Sequence, residues 1–315
     1  MKKSLMKHKV IVIGAGYFGQ RHIKMLAQME DVEIVAIVDK DINKAKKIAR
    51  EYGVKFSDNF KDLLKEASVF FIVTPTKSHF EIAMDLIKEG KDIFIEKPIT
   101  ENSQHATVLI EEALKNKIIF QVGLIERYNP VVISLFEQIK TPLFIKAERT
   151  SPYLGRATDT DVTFDLMIHD LDLIMMFQRK IGRGDFNNLK VFKKSFITEK
   201  IDFATVWLEI LINNSPFTAQ ITASRTSPIF QRNITIIDEE FIIYADLINK
   251  NIIKIDKNGT KNEIPIENIE NQPLYEEIRD FLNSVSKREF SQKAPTPEEI
   301  LEVIKLINKI NGGSS

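Results

Sequence analysis

Residues 10–19 read Val10-Ile11-Val12-Ile13-Gly14-Ala15-Gly16-Tyr17-Phe18-Gly19, and this stretch decides the fold of the N-terminal half. A short apolar strand runs directly into a Gly-x-Gly-x-x-Gly motif, and a helical pattern follows as far as Met29. Gly14 permits a tight turn, Gly16 lets the backbone approach a pyrophosphate, and Gly19 allows close packing of helix and strand. Because a helix N-terminus also offers unpaired N–H groups, the stretch predicts a dinucleotide site. The alternative is a glycine turn that serves packing alone.

The rest of the N-terminal region alternates short apolar runs with helical patterns. The predicted strands are Val10–Ile13, Ile34–Val38, Val69–Val73, Ile93–Ile95 and Ile118–Val122. The predicted helices are Gly19–Met29, Asn43–Glu51, Phe60–Lys65, His79–Glu89 and Gln104–Lys115. Repeated βαβ units of this kind form a doubly wound parallel sheet. The sequence therefore predicts an α/β protein in which residues 1–122 form a Rossmann domain.

Beyond Val122 the pattern changes to long β-rich runs with few helices. Helices are predicted at Pro130–Lys140, Phe164–Phe177, Leu274–Ser286 and Pro297–Asn311. Strands are predicted at Leu143–Arg149, Leu189–Ile197, Phe203–Ile212, Thr218–Thr226, Arg232–Ile237, Phe241–Leu247 and Ile252–Ile255. Neighbouring strands joined by short turns are expected to pair antiparallel. Residues 123–315 are therefore predicted to form a second domain.

The composition argues against several classes of function. Lys plus Arg and Asp plus Glu both number 44 in 315 residues, so no net charge draws the chain to nucleic acid or anionic lipid. Cysteine is absent, which removes thiolate nucleophiles and thiolate-bound zinc, and the histidines show no metal-ligand spacing. The apolar runs are too short to cross a bilayer. We expect a cytoplasmic protein with no metal, nucleic-acid or membrane partner, and a flexible tail at residues 312–315.

Two further segments follow the carboxyl ends of predicted parallel strands, where open sheets bind their ligands. Asp39 closes the second strand at the spacing where an acceptor is needed for the adenosine ribose, which favours NAD. The adjacent Lys40 could offset repulsion of a 2′-phosphate, so NADP is not excluded. The segment Thr74-Pro75 to His79 follows the third strand and is expected to line the cofactor groove, although His79 could equally be an ordinary helix-start residue.

Two segments carry candidate catalytic groups. Glu96-Lys97-Pro98 ends a strand abruptly, so that Lys97 is expected to face a crevice and hydrogen-bond a reacting hydroxyl. The alternative for this tripeptide is a solvated turn. Asp165 and His169 are four residues apart on one helical face, with Asp172 three further on, and a histidine there suits general acid/base work. The alternative is a helix N-terminus whose acids satisfy the dipole.

Taken together, three signatures resemble the Gfo/Idh/MocA oxidoreductase family, the glucose–fructose oxidoreductase and inositol dehydrogenase group, across nearly the whole chain. They are the glycine motif with His22 following it, Glu96-Lys97-Pro98, and the Asp165 and His169 pair. The resemblance implies a Rossmann domain followed by an α/β domain that binds substrate and has an open, mostly antiparallel sheet. The outer face of that sheet commonly makes subunit contacts, which implies a homodimer or homotetramer.

The resemblance also implies roles for single residues. Lys97 would hold and polarise a substrate hydroxyl, His169 would take its proton, and Asp165 would orient the substrate or the imidazole. A hydride would leave the same carbon for the nicotinamide. The predicted cofactor-binding residues are Gly14, Gly16, Tyr17, Phe18, Gly19, Asp39, Lys40, Thr74, Pro75, His79, Glu96 and Lys97.

Within the family, residues 123–130 and 161–173 look most like members that act as UDP-N-acetylglucosamine 3-dehydrogenases. Substrate contacts are accordingly predicted for Arg127, Tyr128, Asn129, Tyr153, Arg156, Asp165 and His169. Arg127 lies at the domain junction, and Arg149, Tyr153 and Arg156 lie before the His169 helix, where they could meet a diphosphate and a uracil. The alternative for each is an ordinary surface role. One departure concerns the pocket: Val162-Thr163-Phe164 stands where many relatives carry glycines.

Three functions follow in order of preference. The first is NAD-dependent oxidation of the 3-hydroxyl of UDP-N-acetylglucosamine to the 3-keto sugar. The second is oxidation of a free polyol or sugar, as by inositol dehydrogenases, which would not need the arginines. The third is a dinucleotide sensor without catalysis, and this reading leaves Lys97 and His169 unexplained.

Overall fold

The computed structural model of the protein describes residues 7–100, 103–155, 160–212 and 215–313. The chain divides into two compact units. The first comprises Met1–Ile125 and Gln272–Leu301, and the second comprises Glu126–Asn271 and Glu302–Ser315. The sequence assigned all of 123–315 to the second domain, and this is corrected for residues 272–301, which return to the first unit.

The sheet of the first unit has six strands, all parallel. They are β1 (His8–Ile13), β2 (Val32–Val38), β3 (Lys55–Ser57), β4 (Val69–Ile72), β5 (Asp92–Glu96) and β6 (Phe120–Gly123), in the spatial order β3-β2-β1-β4-β5-β6. The helices are α1 (Tyr17–Leu26), α2 (Ile42–Tyr52), α3 (His79–Lys88) and α4 (Ser103–Lys115). The order reverses between β1 and β4, which is where doubly wound sheets bind ligands.

The returning segment belongs to the first unit because it completes that unit's core. Helix α7 (Pro273–Lys287) places Phe281 against Phe71 and Phe94, with ring centroids 5.5 and 5.6 Å apart. All three side chains are fully buried, and Ile278 of the same helix joins the cluster. The predicted helix Leu274–Ser286 therefore exists, but it packs with a unit that lies far from it in sequence.

The second unit is built around an eight-stranded sheet. Its strands are β7 (Pro142–Thr150), β8 (Asp185–Lys194), β9 (Phe203–Ile212), β10 (Ser215–Ser224), β11 (Gln231–Asp238), β12 (Phe241–Asp246), β13 (Asn251–Asp256) and β14 (Lys261–Glu263). Their order is β14-β13-β12-β11-β7-β10-β9-β8. The helices are α5 (Pro130–Gln138), α6 (Ile168–Ile181) and α8 (Pro297–Asn311), and the boundary between the two units falls within α8.

One strand pairing differs from the sequence prediction. Strands β10 and β11 are consecutive and were expected to pair, but β7 lies between them and is parallel to β10. The other pairings of this sheet are antiparallel. The short connection from β10 to β11 crosses the end of β7, because β7 comes from earlier in the chain and hydrogen-bonds with both strands.

The helix predicted at Phe164–Phe177 begins differently from an ordinary α-helix. Thr163–Met167 forms a single π-helical turn, and α6 continues from it. The carbonyl oxygen of Asp161 accepts hydrogen bonds from the amides of both Phe164 and Asp165, at 3.0 Å each. Turns of this type are frequent at functional sites because they shift the side chains of a helix relative to one another.

Among the residues that the structure describes, no helix is both long and apolar enough to span a membrane.

Candidate active site

The glycine turn after β1 has the backbone that the motif predicts. Gly14 has φ of +110°, and a Cβ on this residue would collide with the backbone oxygen of Val73. A Cβ on Gly19 would collide with the backbone oxygen of Gly14. Open space surrounds the position that a Cβ on Gly16 would occupy. Gly16 is also the N-cap of α1 and provides no side-chain cap, so the first amides of the helix remain available to an anion. These features fit a pyrophosphate.

The carboxylate of Asp39 is fixed by the same turn. Its Oδ2 accepts a hydrogen bond from the amide of Ala15 at 2.8 Å, and its Oδ1 accepts one from the amide of Asp41 at 3.0 Å. A carboxylate oxygen can accept more than one hydrogen bond, so ribose hydroxyls can still bind here. Tyr17 and Phe18 of the turn are exposed, at 66% and 57%, and Lys40 is also exposed.

The predicted contact between His79 and the cofactor is wrong. The imidazole is only 1% exposed, and its two nitrogens lie 3.0 Å from the carbonyl oxygen of Pro98 and 2.8 Å from that of Thr74. Burial lowers the pKa of His79, and the two carbonyls offset only part of this effect. The histidine therefore holds two loops together, while Thr74 and Pro75 keep their predicted place after β4.

A buried histidine contacts the partly buried carboxylate that precedes Lys97. The Nε2 of His22, from α1, lies 2.7 Å from Oε1 of Glu96 at the end of β5. The Oε2 of Glu96 accepts a hydrogen bond from the amide of Lys97 at 3.2 Å. His22 is fully buried between the rings of Phe71 and Phe94. The backbone of Lys97 is therefore anchored to the first helix through one carboxylate.

The anchoring carboxylate is charged. Burial raises the pKa of Glu96, but the hydrogen bond and charge of His22, followed by the charge and amide of Lys97, outweigh burial and hold the pKa below its ordinary value. The sequence predicted that Glu96 contacts the cofactor. In the structure its two oxygens are used by His22 and Lys97, which indicates a role in positioning.

The second unit carries the other two candidate catalytic residues on one short stretch. Asp165 lies on the π-helical turn and is half-buried, and His169 lies at the start of α6 and is 9% exposed. The turn packs against β7 and β10. The hydroxyl of Thr163 donates a hydrogen bond to Oδ1 of Asn311 at 2.9 Å, and the Asn311 amide donates to Oδ2 of Asp161 at 3.3 Å. The end of α8 thus braces this turn.

Comparison with known proteins supports this interpretation of the glycine turn. Residues 8–124 match an oxidoreductase family with an NAD-binding Rossmann fold, the Gfo/Idh/MocA family. This region belongs to the Gfo/Idh/MocA family. The chain is therefore an NAD-binding oxidoreductase, and the predictions of family, fold class and cofactor are confirmed.

The similarity to some relatives of the family extends over both units. UDP-N-acetylglucosamine 3-dehydrogenase from Acidithiobacillus ferrooxidans is 29% identical over 283 residues, which cover 87% of this chain and 88% of the relative. A solved structure of that dehydrogenase has a TM-score of 0.87 at 26% identity and covers 96% of each chain. The NAD-dependent scyllo-inositol 2-dehydrogenase of Bacillus subtilis is 25% identical, over 71% of this chain and 69% of the relative.

Two arginines that were predicted to meet a diphosphate are buried in ion pairs instead. Arg127 is 1% exposed, and its Nε and Nη2 donate to the two carboxylate oxygens of Asp172 at 2.8 and 2.6 Å. Arg149 is 3% exposed and donates to Asp170 twice at 2.9 Å and to Glu126 at 2.7 Å. The prediction that these arginines contact substrate is therefore corrected. Their guanidinium groups bind the aspartates at the start of α6.

Burial is compensated by charge in this network. Desolvation alone would lower the pKa of Arg149. The charges of Asp170 and Glu126 raise the pKa by more than desolvation lowers it, so the net shift is upward. Burial raises the pKa of Asp170, which Arg149 opposes. Buried charges of this kind persist only when paired and hydrogen-bonded. The network therefore fixes the residue next to His169.

The other predicted substrate residues differ in exposure and in hydrogen bonding. Tyr128 is 2% exposed, which argues against a direct contact. Asn129 caps α5 by accepting from the amide of Val131 at 3.0 Å and donates to Glu126 at 2.9 Å, so its side chain is structural. Tyr153 is 43% exposed and stays a predicted contact. Arg156 lies outside the described residues.

Arg232 is a charged residue of this unit that was not predicted from the sequence as a site residue. On β11 it is in phase with Ile234 and Ile236, which are buried, so it lies on the core face of the sheet. Its register partner on β7 is Arg149. The sequence contains a signal for this residue, because Arg232 stands two residues before Ile234 and four before Ile236. A charged residue on the same face as inward-facing isoleucines indicates a strand end at which a polar site adjoins the core.

Proposed function

We propose that this oxidoreductase converts UDP-N-acetylglucosamine to its 3-keto derivative with NAD as hydride acceptor. The observation that carries the proposal is the similarity to the Acidithiobacillus dehydrogenase, which covers nearly nine-tenths of each chain by sequence and 96% of each by structure. The similarity thus includes the unit that carries Asp165 and His169. The match to the scyllo-inositol dehydrogenase covers less of either chain.

The proposed reaction balances as a two-electron oxidation of a secondary alcohol. Bound NAD would supply the hydride acceptor at nicotinamide C4. Lys97 holds the 3-hydroxyl by hydrogen bonding, and His169 accepts its proton as the C–H bond at C3 breaks. Asp165 orients the sugar or the imidazole. The products are the ketone, NADH and one proton.

The residues that hold these groups suit the proposed division of work. The backbone of Lys97 is tied to the partly buried Glu96, which limits the conformations of the peptide that carries the ammonium. His169 is followed by Asp170, which is locked to Arg149. General acid/base catalysis of this kind contributes about 100- to 10,000-fold to rate and depends on accurate placement.

A second candidate is oxidation of a free polyol, which the similarity to the scyllo-inositol dehydrogenase favours. The two functions differ in the charge of the substrate. A polyol carries no phosphate, whereas a nucleotide sugar needs a cationic group in the substrate-binding unit. Competition by UDP distinguishes them, because UDP inhibits only the enzyme of the nucleotide sugar.

The test is a steady-state assay of NADH absorbance with purified protein and NAD. UDP-N-acetylglucosamine, scyllo-inositol and myo-inositol are compared as substrates, with Lys97→Ala and His169→Ala as controls. We expect NADH only from the nucleotide sugar, and about a hundredfold lower turnover in each variant with NAD affinity retained. NADH from an inositol but not from the nucleotide sugar would replace the first function with the second.

A further inference from the structure

Arg232 differs from the other arginines at its end of the sheet. Arg149 is buried and donates three hydrogen bonds to carboxylates. Arg225 is 6% exposed, donates to the carbonyl of Thr160, and lies 3.7 Å from Asp202. Arg232 is exposed, and among the described residues its guanidinium makes no hydrogen bond or ion pair, although its backbone carbonyl accepts from the amide of Leu247. A guanidinium that presents several donors in a fixed fork is thus unused.

The position of Arg232 relates it to the candidate catalytic residues of the same unit. It shares the core face of the sheet with its register partner Arg149, which grips Asp170. The charge of Asp165 also acts on Arg232, along with those of Glu126 and Asp170. Arg232 therefore lies at the end of the sheet where the π-helical turn and the start of α6 present Asp165 and His169.

The carboxylates that could have satisfied Arg232 are already engaged. Glu126 accepts from Arg149 and Asn129, and both oxygens of Asp170 accept from Arg149. Partial desolvation and the neighbouring positive charge of Arg149 lower the pKa of Arg232, and the three carboxylates do not fully offset this. Arginine stays protonated even so. An anion that binds Arg232 would relieve the repulsion between the two guanidinium groups.

We infer that Arg232 binds the diphosphate of the nucleotide sugar, which rests on the function proposed above. The diphosphate is attached to C1 of the sugar, two ring carbons away from the hydroxyl that is oxidised. A guanidinium near Asp165 can therefore hold the phosphate while Asp165 and His169 face the sugar. Phosphate matches the fork of arginine by paired, charge-assisted hydrogen bonds. An uncharged polyol would make no such contact.

A purely structural role for Arg232 would have a different appearance. Structural arginines in this unit are buried and hydrogen-bonded to carboxylates or carbonyl oxygens, as Arg127, Arg149 and Arg225 are. The side chain of Arg232 is exposed and makes no hydrogen bond within the described part of the chain. Replacing it should therefore leave the fold intact and change substrate binding.

The test compares Arg232→Ala and Arg232→Lys with the wild type, and uses Arg183→Ala as the matched control. Arg183 is an exposed arginine of the same unit that follows the far end of α6. Steady-state kinetics give KM and kcat for UDP-N-acetylglucosamine with NAD saturating. Calorimetry gives the affinity for UDP in the presence of NAD, which does not depend on turnover.

We expect Arg232→Ala to raise KM and weaken UDP binding by about 10- to 100-fold, with kcat changed less than about threefold. The lysine variant should recover part of the loss because it keeps the charge but not the fork. Arg183→Ala should behave as the wild type. These results, with unchanged thermal unfolding, support the inference.

Three outcomes would overturn the inference or its premise. If the wild type oxidises the nucleotide sugar and Arg232→Ala has unchanged KM and UDP affinity, Arg232 does not bind the diphosphate and the proposed function stands. If the wild type neither oxidises the nucleotide sugar nor binds UDP, the proposed function fails and the inference fails with it. An equal loss of UDP affinity in Arg183→Ala would show that any lost positive charge weakens UDP binding, and would contradict a direct contact between Arg232 and the diphosphate.

Discussion

At the scale of single residues, Glu96 has the most informative surroundings. It joins His22 to the amide of Lys97. Its charged form is stabilised because the combined effects of His22 and Lys97 on the pKa outweigh that of burial. A carboxyl whose pKa is lowered by folding stabilises the protein above its unfolded pKa. That contribution is lost as the pH falls through the lower pKa of the folded state.

The Glu96→Gln variant tests this directly. We expect it to lower the free energy of unfolding at pH 7 by about 1–3 kcal/mol, since a charge-assisted hydrogen bond is lost in a buried place. The difference from the wild type should shrink as the pH falls below the ordinary carboxyl value of 4.5. Urea unfolding at a series of pH values measures it. A difference that stays constant with pH would show that the carboxylate charge has no part in the pair.

Arg149 gives a second prediction at the residue scale. Arg149→Met leaves Glu126 and Asp170 buried without their cation, and breaking a buried pair in this way costs about 3–5 kcal/mol. Chemical denaturation should show this loss, while the exposed control Arg183→Met should change stability by less than about 0.5 kcal/mol. Equal stability of the two variants would mean that the network is not structural.

Arg127 and Arg149 have partners that could not be predicted from the sequence. Their charge suggested a phosphate contact, but their partners are 21 to 45 residues away along the chain, so only tertiary structure brings them together. By contrast, the glycine turn is specified locally. Gly14 needs a positive φ and Gly19 needs the absence of a Cβ, and both requirements can be inferred from the motif.

At the scale of secondary structure, the π-helical turn at Thr163–Met167 is the feature that positions the proposed base. The turn begins directly after Val162. The hydroxyl of Thr163 donates a hydrogen bond to Asn311, and Asn311 also donates to Asp161. The end of α8 therefore braces the turn that carries Asp165.

The Asn311→Ala variant is expected to lower kcat by about tenfold through displacement of Asp165 and His169, with the KM for NAD unchanged. The pH profile of kcat should also shift, because the surroundings of the imidazole change. Lys309→Ala, an exposed change on the same helix, is the control. Loss of stability in Asn311→Ala with an unaltered kcat and pH profile would limit Asn311 to a structural role.

Most helices and strands follow from periodicity, since their observed bounds lie within a few residues of those predicted. Four features do not. One is the three-residue strand β3, which contains a single apolar residue. The insertion of β7 between β10 and β11 depends on long-range pairing. The π-helical turn depends on a hydrogen bond from the amide of Ile168 to the carbonyl oxygen of Thr163, five residues earlier, which hydrophobic periodicity does not indicate. The short strand β14 has too few apolar residues to give a signal.

At the scale of the whole molecule, the outer face of the second sheet bears on oligomerisation. Trp207, Ile242 and Tyr244 lie on this face and are between 36% and 43% exposed. We propose that this face makes the subunit contact that the family resemblance implies. Trp207→Glu should reduce the molar mass measured by light scattering, whereas Lys47→Glu on α2 should not. An unchanged mass for Trp207→Glu would place the contact elsewhere.

The central claim is that hydride moves from C3 of the sugar of UDP-N-acetylglucosamine to NAD. The most direct test uses this substrate with deuterium at C3, incubated with NAD and the purified protein. Mass spectrometry of the reduced cofactor then reports the source of the hydride. We expect deuterated NADH from the wild type, and about a hundredfold less in the same time from Lys97→Ala or His169→Ala. NADH without deuterium, or no NADH from this substrate, would contradict it.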